Sequence, residues 1–175
     1  MAVGSVVVNV VPYDRALVRQ SSGFSCGHPA LDDWLTRYAG QNQRRNNTRT
    51  FLGIVDADGP VVGYYSTCTA SIAPDDKARR YGVGQREYPI PAVLLARLAV
   101  DRKWQGCGVG QQLLAHALQT VLAANEFVGF EVLVADAIDE AAETFYGKHG
   151  FIRFHETEGR LFLPIKQVRA SLPST

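Results

Sequence analysis

The chain has 175 residues, of which 46% are hydrophobic, and this size and composition suit one globular domain over residues 1–175. No run approaches the roughly 18 consecutive apolar residues that a membrane-spanning helix needs, so we expect no membrane span. Three cysteines without a Cys-x-x-Cys spacing argue against a disulfide framework and a metal site, and they favour a reducing, cytoplasmic setting.

The net charge of +1 does not by itself indicate nucleic-acid binding, but the charges are segregated along the chain. Between Arg37 and Lys103, eleven basic residues stand against six acidic ones, which leaves +5. Between Glu126 and Glu158, eight acidic residues stand against two basic ones, which leaves −6. Such a distribution can steer a polyanion onto one side of a protein, and it fits an ordinary surface with segregated charge equally well.

Hydrophobic periodicity predicts alternating strands and helices, with no repeats. In chain order, the predicted elements are a strand at 6–11, a helix from 29 to about 43, strands at 50–55 and 61–71, a polar segment at 74–89, a strand at 92–100, a helix at 109–123, a strand at 130–135, a helix at 140–149 and a hairpin of 152–155 and 160–165. The first helix has a predicted apolar face of Leu31, Trp34, Leu35, Tyr38 and Ala39. His116 lies off the apolar face of its helix and is expected to be solvated. This order predicts an α+β fold in which helices cover a sheet.

A glycine-rich turn, Gln105–Gly110, follows a predicted buried strand and opens an amphipathic helix. Such a turn points unpaired N–H groups and the positive end of a helix dipole at one place, where a pyrophosphate fits. A Walker A loop is excluded because two glutamines, rather than Lys and Ser or Thr, follow the last glycine. A dinucleotide fingerprint is excluded because Gln111 occupies the position of its third glycine. The pattern that remains is Gln-x-x-Gly-x-Gly.

This pattern is similar to the acyl-CoA-binding motif of the GNAT family of N-acetyltransferases, and the predicted element order resembles that family's along nearly the whole chain. The resemblance implies a single acetyltransferase domain with a central mixed, mostly antiparallel sheet flanked by helices. It also implies acetyl-CoA as the co-substrate, with no metal. The residues that the resemblance assigns to cofactor binding are Leu98, Ala99, Val100, Gln105, Gly106, Cys107, Gly108, Val109 and Gly110.

A second motif, from Ala142 to Phe151, is similar to the GNAT pattern Ala-x-x-x-Tyr-x-x-x-Gly-Phe, whose tyrosine lies near the CoA sulfur. The resemblance implies that Tyr146 is the general acid, since a phenol with a pKa near 10 holds its proton at neutral pH. The alternative is an aromatic side chain that fills a helix–sheet interface. One position departs from the family: many members have Asn where this chain has Asp139, which suits a helix N-cap instead.

No general base stands out in the sequence. Glu87 is a candidate, and an ordinary surface acid is the alternative. An ε-amine with a pKa near 10.4 is only about 0.04% neutral at pH 7, whereas an α-amine with a pKa near 8 is about 10% neutral. A site without a strong base therefore favours an α-amino acceptor, although water chains can also act as bases.

The segment Phe24–Gly27 followed by Leu31–Leu35 resembles the GNAT toxins of bacterial toxin–antitoxin pairs, and matching positions extend from about residue 24 to 166. The resemblance implies acetylation of the α-amine of the amino acid on aminoacyl-tRNA, which blocks translation. It further implies a homodimer and a small ribbon–helix–helix antitoxin as partner. The candidates for contacts to tRNA phosphates are Arg44, Arg45, Arg49, Arg79, Arg80 and Arg86.

Two alternatives remain at the level of the sequence. A GNAT enzyme that acetylates a protein N-terminus or a small amine would keep Tyr146 and the glycine turn without needing a basic surface. A non-catalytic acyl-CoA-binding regulatory protein would keep the turn and tolerate Tyr146→Phe. The modest net charge weakens the tRNA interpretation, because a tRNA-binding protein is more often strongly basic.

Overall fold

The computed structural model describes residues 4–172 and divides the chain into two compact units. The first unit comprises the chain as far as Cys68 together with Arg97–Ala117, and the second comprises the remainder. In chain order, the elements are β1 (Asn9–Pro12), α1 (Arg15–Gln20), α2 (Pro29–Asp33), a π-helical segment (Trp34–Tyr38), α3 (Ala39–Arg44), β2 (Arg49–Ile54), β3 (Val61–Ile72), α4 (Asp76–Arg80), β4 (Ile90–Val100), a 3-10 segment (Arg102–Trp104), α5 (Val109–Asn125), β5 (Val132–Asp136), α6 (Glu140–Lys148), β6 (Ile152–Arg153), β7 (Arg160–Pro164) and α7 (Ile165–Ser171).

Seven strands form one mixed sheet in the order β1-β2-β3-β4-β5-β7-β6. The pairs β1–β2, β2–β3, β5–β7 and β6–β7 are antiparallel, whereas β4 and β5 are parallel. The sequence-based prediction of an α+β fold with a mixed, mostly antiparallel sheet flanked by helices is confirmed. Over residues 4–172, no helix is long and apolar enough to cross a membrane.

In the first unit, β3 presents adjacent tyrosines to opposite faces, as the two-residue period of a strand requires. Tyr64 packs among α1, α2 and the π-helical segment, where its ring stacks on Trp34 and its hydroxyl donates to the Leu31 carbonyl at 2.7 Å. Tyr65 faces α5 and stacks on Phe51 of β2. Both tyrosines are fully buried. Strand β3 therefore separates a face covered by the N-terminal helices from a face covered by α5.

The π-helical segment corrects one detail of the predicted apolar face. Trp34, Leu35 and Ala39 are buried as predicted, but Tyr38 is 49% exposed. A π-helical turn contains more residues than an α-helical turn, so it rotates the following side chains away from the positions that a 3.6-residue period predicts. The prediction for Tyr38 is therefore wrong for a local geometric reason.

The second unit is built on the parallel pair β4–β5 and the antiparallel strands β6 and β7. Its core includes Ile90, Val132, Val134 and Phe162. Asp139 is the N-cap of α6, and its carboxylate accepts the Ala142 N–H at 2.8 Å, which confirms the predicted cap. Beyond α6, Gly150 has a φ of +89°, a left-handed conformation that favours glycine after a helix.

Several boundaries differ from the prediction, and at β1 the reason is a side chain that bonds to the backbone ahead of the strand. β1 begins at Asn9 rather than residue 6, since the side-chain amide of Gln112 accepts the Val8 N–H at 2.8 Å and donates to the Val6 carbonyl at 2.6 Å. The short helices α1, α4 and α7 were not predicted. For α1 the sequence held a signal, because Asp14 is an N-cap whose carboxylate accepts the first free N–H groups of that helix.

The prediction that His116 is solvated is wrong. Its ring is partly buried, its Nδ1 lies 2.8 Å from the Tyr65 hydroxyl, and its centroid lies 5.2 Å from that of Phe51. The aromatic side chains of β2 and β3 are long enough to cover a helix position beside the apolar face, which periodicity alone does not reveal. Burial lowers the pKa of His116.

Candidate active site

The glycine turn of the first unit ends with a helix start that has no side-chain cap. Gly106 and Gly108 have φ values of +78° and +83°, a region that residues with a Cβ rarely adopt. The Gly108 carbonyl accepts the Gln112 N–H at 3.2 Å, so Gly108 occupies the N-cap position of α5. Glycine has no side chain with which to cap the N–H groups of Val109–Gln111, which also have no partner within the helix. Free N–H donors at the positive end of a helix dipole are an arrangement that favours a bound anion.

The space in front of this turn is open. A Cβ built on Gly106 would meet no atom within 4 Å, and one built on Gly108 would come no closer than 3.9 Å to its nearest neighbours. Both glycines therefore have open space on the side where a side chain would stand. Over residues 4–172, no group of three or more His, Cys, Asp or Glu side chains could hold a metal ion.

Gln105, assigned to cofactor binding from the sequence, uses its side chain to brace the turn. Its Nε2 donates to the carbonyls of Cys26 and Val100, each at 2.9 Å. Gln112 braces the other side, because its Nε2 also donates to the Gly108 carbonyl at 3.2 Å. Sequence reasoning missed Gln112, and no short-range pattern points to it because its main partners lie 104 and 106 residues away.

The other residues assigned to cofactor binding fall into a buried group and a partly exposed group. Ala99 and Val109 are buried with 4% and 1% exposure, and Ala99 belongs to the core beneath the N-terminal helices. Leu98, Val100, Cys107 and Gly110 are partly exposed. Cys107 is a free thiol. Where Ala99 and Val109 contact a cofactor, they must do so through their main chains.

The loop Ser25–Gly27, part of the motif that suggested a toxin, is tied by hydrogen bonds to the segment that precedes the glycine turn. Ser25 N–H donates to Asp101 Oδ2 at 3.1 Å, and its carbonyl accepts the Arg102 N–H at 2.8 Å. Cys26 N–H donates to Asp32 Oδ1 at 2.8 Å. Asp101 is buried, and its Oδ1 also accepts the Lys103 N–H at 2.9 Å. The motif therefore fixes the base of the N-terminal helices against the glycine turn.

Cys26 itself is a structural residue. Its side chain is buried, and burial, followed by the hydrogen bond with Asp32, raises the pKa of its thiol to about 11. A thiol with so high a pKa stays protonated at neutral pH and is a poor nucleophile.

Tyr146 lies in the second unit on α6, with its ring packed against Phe145 and Phe151. The residue is 4% exposed, and burial, with a smaller contribution from Asp136, raises the pKa of its phenol. Within residues 4–172 its hydroxyl has no hydrogen-bond partner, yet this oxygen is not among the side-chain atoms sealed from solvent. The ring therefore packs against aromatic neighbours, as the alternative interpretation of Tyr146 expects, and the general-acid role stays a prediction.

The six candidate arginines fall into two groups. Arg49 donates to the Gln43 carbonyl and to Asn46 Oδ1, and Arg79 donates to the Gly84 carbonyl and pairs with Asp76, so both hold local turns. The other four are exposed, and in the described part of the chain their guanidinium groups form no ion pair: Arg44, Arg45, Arg80 and Arg86. Glu87 is also exposed.

Comparisons with known proteins identify the family of the chain. A family profile described as an acetyltransferase (GNAT) domain matches residues 47–153. The chain is 35% identical over 149 residues to a tRNA-acetylating toxin of Mycobacterium tuberculosis, a match that covers 85% of this chain and 88% of the relative.

The chain belongs to the GNAT acetyltransferase family.

Two solved structures extend the similarity to bound states. AtaT complexed with acetyl-methionyl-tRNAfMet has a TM-score of 0.78 at 30% identity and covers 94% of this chain and 98% of its own. A tyrosine-to-phenylalanine variant of AtaT, bound to acetyl-CoA and the C-terminus of the antitoxin AtaR, has a TM-score of 0.77 at 31% identity and covers 93% and 96%. The resemblance to GNAT toxins drawn from the sequence is confirmed, and this GNAT chain is an N-acetyltransferase with acetyl-CoA as its donor.

Proposed function

We propose that this GNAT enzyme transfers the acetyl group of acetyl-CoA to the α-amine of aminoacyl-tRNA and thereby stops translation. The observation that carries this proposal is the 35% identity, over 85% of the chain, to a relative named as a tRNA-acetylating toxin. The TM-score of 0.78 to AtaT with acetyl-methionyl-tRNAfMet supports the same acceptor.

In the reaction, bound acetyl-CoA supplies a thioester whose carbonyl carbon is attacked by the neutral α-amine. The uncapped N–H groups of Val109–Gln111 bind the pyrophosphate of the donor, and Gly106 and Gly108 let it approach the backbone. A C–N bond forms, the C–S bond breaks, and the Tyr146 hydroxyl gives its proton to the leaving thiolate. The proton that the attacking amine loses passes to water, and the Tyr146 phenolate takes a proton back from water. The raised pKa of Tyr146 keeps that proton in place before the reaction.

An α-amino acceptor requires little help from a base. A free α-amine has a pKa near 8, so about a tenth of it is neutral at pH 7, whereas a lysine side chain would need a dedicated base. Exposed arginines that form no ion pair within residues 4–172 suit the phosphates of the tRNA, and among the candidates these are Arg44, Arg45, Arg80 and Arg86. Arg49 and Arg79 are weaker candidates because their donors hold turns.

The toxin setting carries further expectations. Because its proposed acceptor is aminoacyl-tRNA, we expect the enzyme to act in the cytoplasm. By similarity to AtaT bound to a segment of AtaR, an antitoxin partner is expected for this chain. A homodimer and a ribbon–helix–helix antitoxin remain expectations from the resemblance.

The test is transfer of labelled acetyl from acetyl-CoA to a pool of charged tRNAs, with Tyr146→Phe compared against Tyr38→Phe, a half-exposed tyrosine. Removing the general acid is expected to lower kcat by about 10²-fold or more while KM for both substrates changes little. Tyr38→Phe is expected to behave as the native protein. Expression of the native chain without a partner should arrest bacterial growth, and Tyr146→Phe should relieve the arrest.

Two other results would redirect the proposal. Transfer to peptides or polyamines but not to aminoacyl-tRNA would favour an N-terminal or small-amine acetyltransferase. Tight acetyl-CoA binding with no transfer to any acceptor would favour a regulatory acyl-CoA-binding protein.

A further inference from the structure

Arg97 is a half-buried arginine on β4 that the donor site does not use. Its guanidinium carbon lies 4.2 Å from the centroid of the Trp34 ring, in a cation–π contact. Trp34 in turn stacks on Tyr64, with ring centroids 5.9 Å apart and planes inclined by 10°. The guanidinium therefore lies over Trp34, one of two stacked and buried aromatic rings.

This guanidinium has no counter-ion within residues 4–172. No carboxylate pairs with it there, and burial lowers the pKa of Arg97. None of its nitrogen atoms is sealed from solvent. A partly desolvated cation with several free N–H donors is an arrangement that a bound anion completes.

The position of Arg97 favours the acceptor over the donor. Arg97 stacks on the face of the first unit that carries Trp34, Tyr64 and the N-terminal helices. The helix that begins at the glycine turn packs on the opposite face, where a Cβ on Gly63 would meet Leu113 at 2.8 Å. An anion bound by Arg97 is thus separated by the strands from the helix that receives the donor's pyrophosphate.

The helix beneath the stack adds a second indication. Trp34 begins the π-helical segment Trp34–Tyr38, and π-helical turns inside α-helices occur frequently at functional sites. Here the π-helical turn belongs to the same segment whose base is fixed to the glycine turn through Cys26 and Gln105. The stack is consequently held at a defined position relative to the donor site within this unit.

We propose that Arg97, stacked on Trp34, binds a phosphate near the 3′ end of the acceptor tRNA and positions the aminoacyl group for acetylation. This inference rests on the proposed function. A guanidinium offers a planar pair of donors that matches two phosphate oxygens, and the tryptophan fixes the plane of that pair in advance. Lysine would keep the charge but lose both the stack and the paired geometry.

The experiment measures steady-state kinetics with two acceptors and with the donor acetyl-CoA. The acceptors are aminoacyl-tRNA and a puromycin-type 3′-aminoacyl adenosine that has the same amine but no phosphate. Arg97→Gln is expected to raise KM for aminoacyl-tRNA by about 10- to 100-fold. It should leave KM for the phosphate-free acceptor and for acetyl-CoA unchanged. Arg97→Lys should show a smaller increase for aminoacyl-tRNA. The matched control is Arg19→Gln, an exposed arginine of α1, which should behave as the native protein.

A salt titration provides a second measure. Loss of one phosphate contact should make log(kcat/KM) for aminoacyl-tRNA less steep in log salt by about 0.7. If Arg97→Gln raised KM for the phosphate-free acceptor as much as KM for aminoacyl-tRNA, the stack would have a purely structural role and the inference would be wrong. If only KM for acetyl-CoA rose, Arg97 would bind a phosphate of the donor, and the inference would be wrong. If the native enzyme does not acetylate aminoacyl-tRNA at all, the proposed function fails first; if it does and Arg97→Gln changes nothing, only the inference fails.

Discussion

The two faces of β3 in the first unit are covered by helices that differ in how their polar groups are satisfied. On the side of the N-terminal helices, polar groups satisfy one another: the Tyr64 hydroxyl bonds the Leu31 carbonyl, and Asp101 bonds the main chain of Ser25. On the side of α5, the helix begins at a glycine and leaves its first N–H groups available. The proposed acetyl-CoA site is therefore built from backbone, whereas the other face is a fixed scaffold that presents the side chain of Arg97. Substitutions should affect the two faces differently.

The largest difference is expected at the glycine turn. Gly108→Ala should raise KM for acetyl-CoA by about tenfold or more, because a Cβ there obstructs the approach of a phosphate to the backbone. Gly82→Ala is the matched control, since Gly82 has a φ of +79°, close to the +83° of Gly108, and open space around its Cβ position. Both variants should lose about 1 kcal/mol of stability through left-handed strain.

Steady-state kinetics and urea denaturation of both variants separate the two effects. If Gly82→Ala raised KM for acetyl-CoA as much as Gly108→Ala, strain alone would account for the loss. The proposed backbone site at the start of α5 would then be wrong.

The next effect concerns Asp101, which joins the scaffold side to the glycine turn. Asp101→Asn keeps one acceptor oxygen but turns an NH₂ group toward one of the two N–H donors of Ser25 and Lys103. Because the carboxylate is buried, the unfolding free energy should fall by about 2 kcal/mol. Asp14→Asn is the control, since Asp14 also accepts two N–H groups but is exposed at a helix N-cap, where Asn serves equally well.

Urea denaturation at pH 7, followed by circular dichroism, measures both variants. A similar small loss for Asp101→Asn and Asp14→Asn would mean that the buried carboxylate does not hold the two segments together.

The sequence was informative where local backbone geometry determines the structure. The glycine turn could be predicted because its strand, its left-handed glycines and its helix are consecutive, and Asp139 could be predicted as an N-cap from its position alone. What could not be predicted depends on partners far apart in the chain. The bond from Ser25 to Asp101 spans 76 residues, and the bond from Val8 to Gln112 spans 104. No periodicity encodes such contacts, which is why Gln112 and Arg97 received no role from the sequence.

The π-helical segment shows a second limit. A single irregular turn shifts the register of a helix without leaving a mark in the hydrophobic pattern, so Tyr38 was placed on the wrong face. The same turn carries Trp34, on which Arg97 stacks.

The smallest expected effect is on the α5 side, where the Tyr65 hydroxyl meets a group that titrates. Burial lowers the pKa of His116 in the folded protein, so the unfolded chain binds more protons near and below pH 6.5. The stabilising effect of neutral His116 is thus present above that pH and is lost as the pH falls through 6.5 toward the lower folded-state pKa. His116→Gln, which retains a polar side chain opposite Tyr65, should flatten the decline in unfolding free energy between pH 7.5 and 5.5. Urea denaturation at several pH values in that range measures the slope, and identical slopes for the native and variant proteins would mean that this face, like the one lined by Tyr64, is closed by groups that do not titrate near neutral pH.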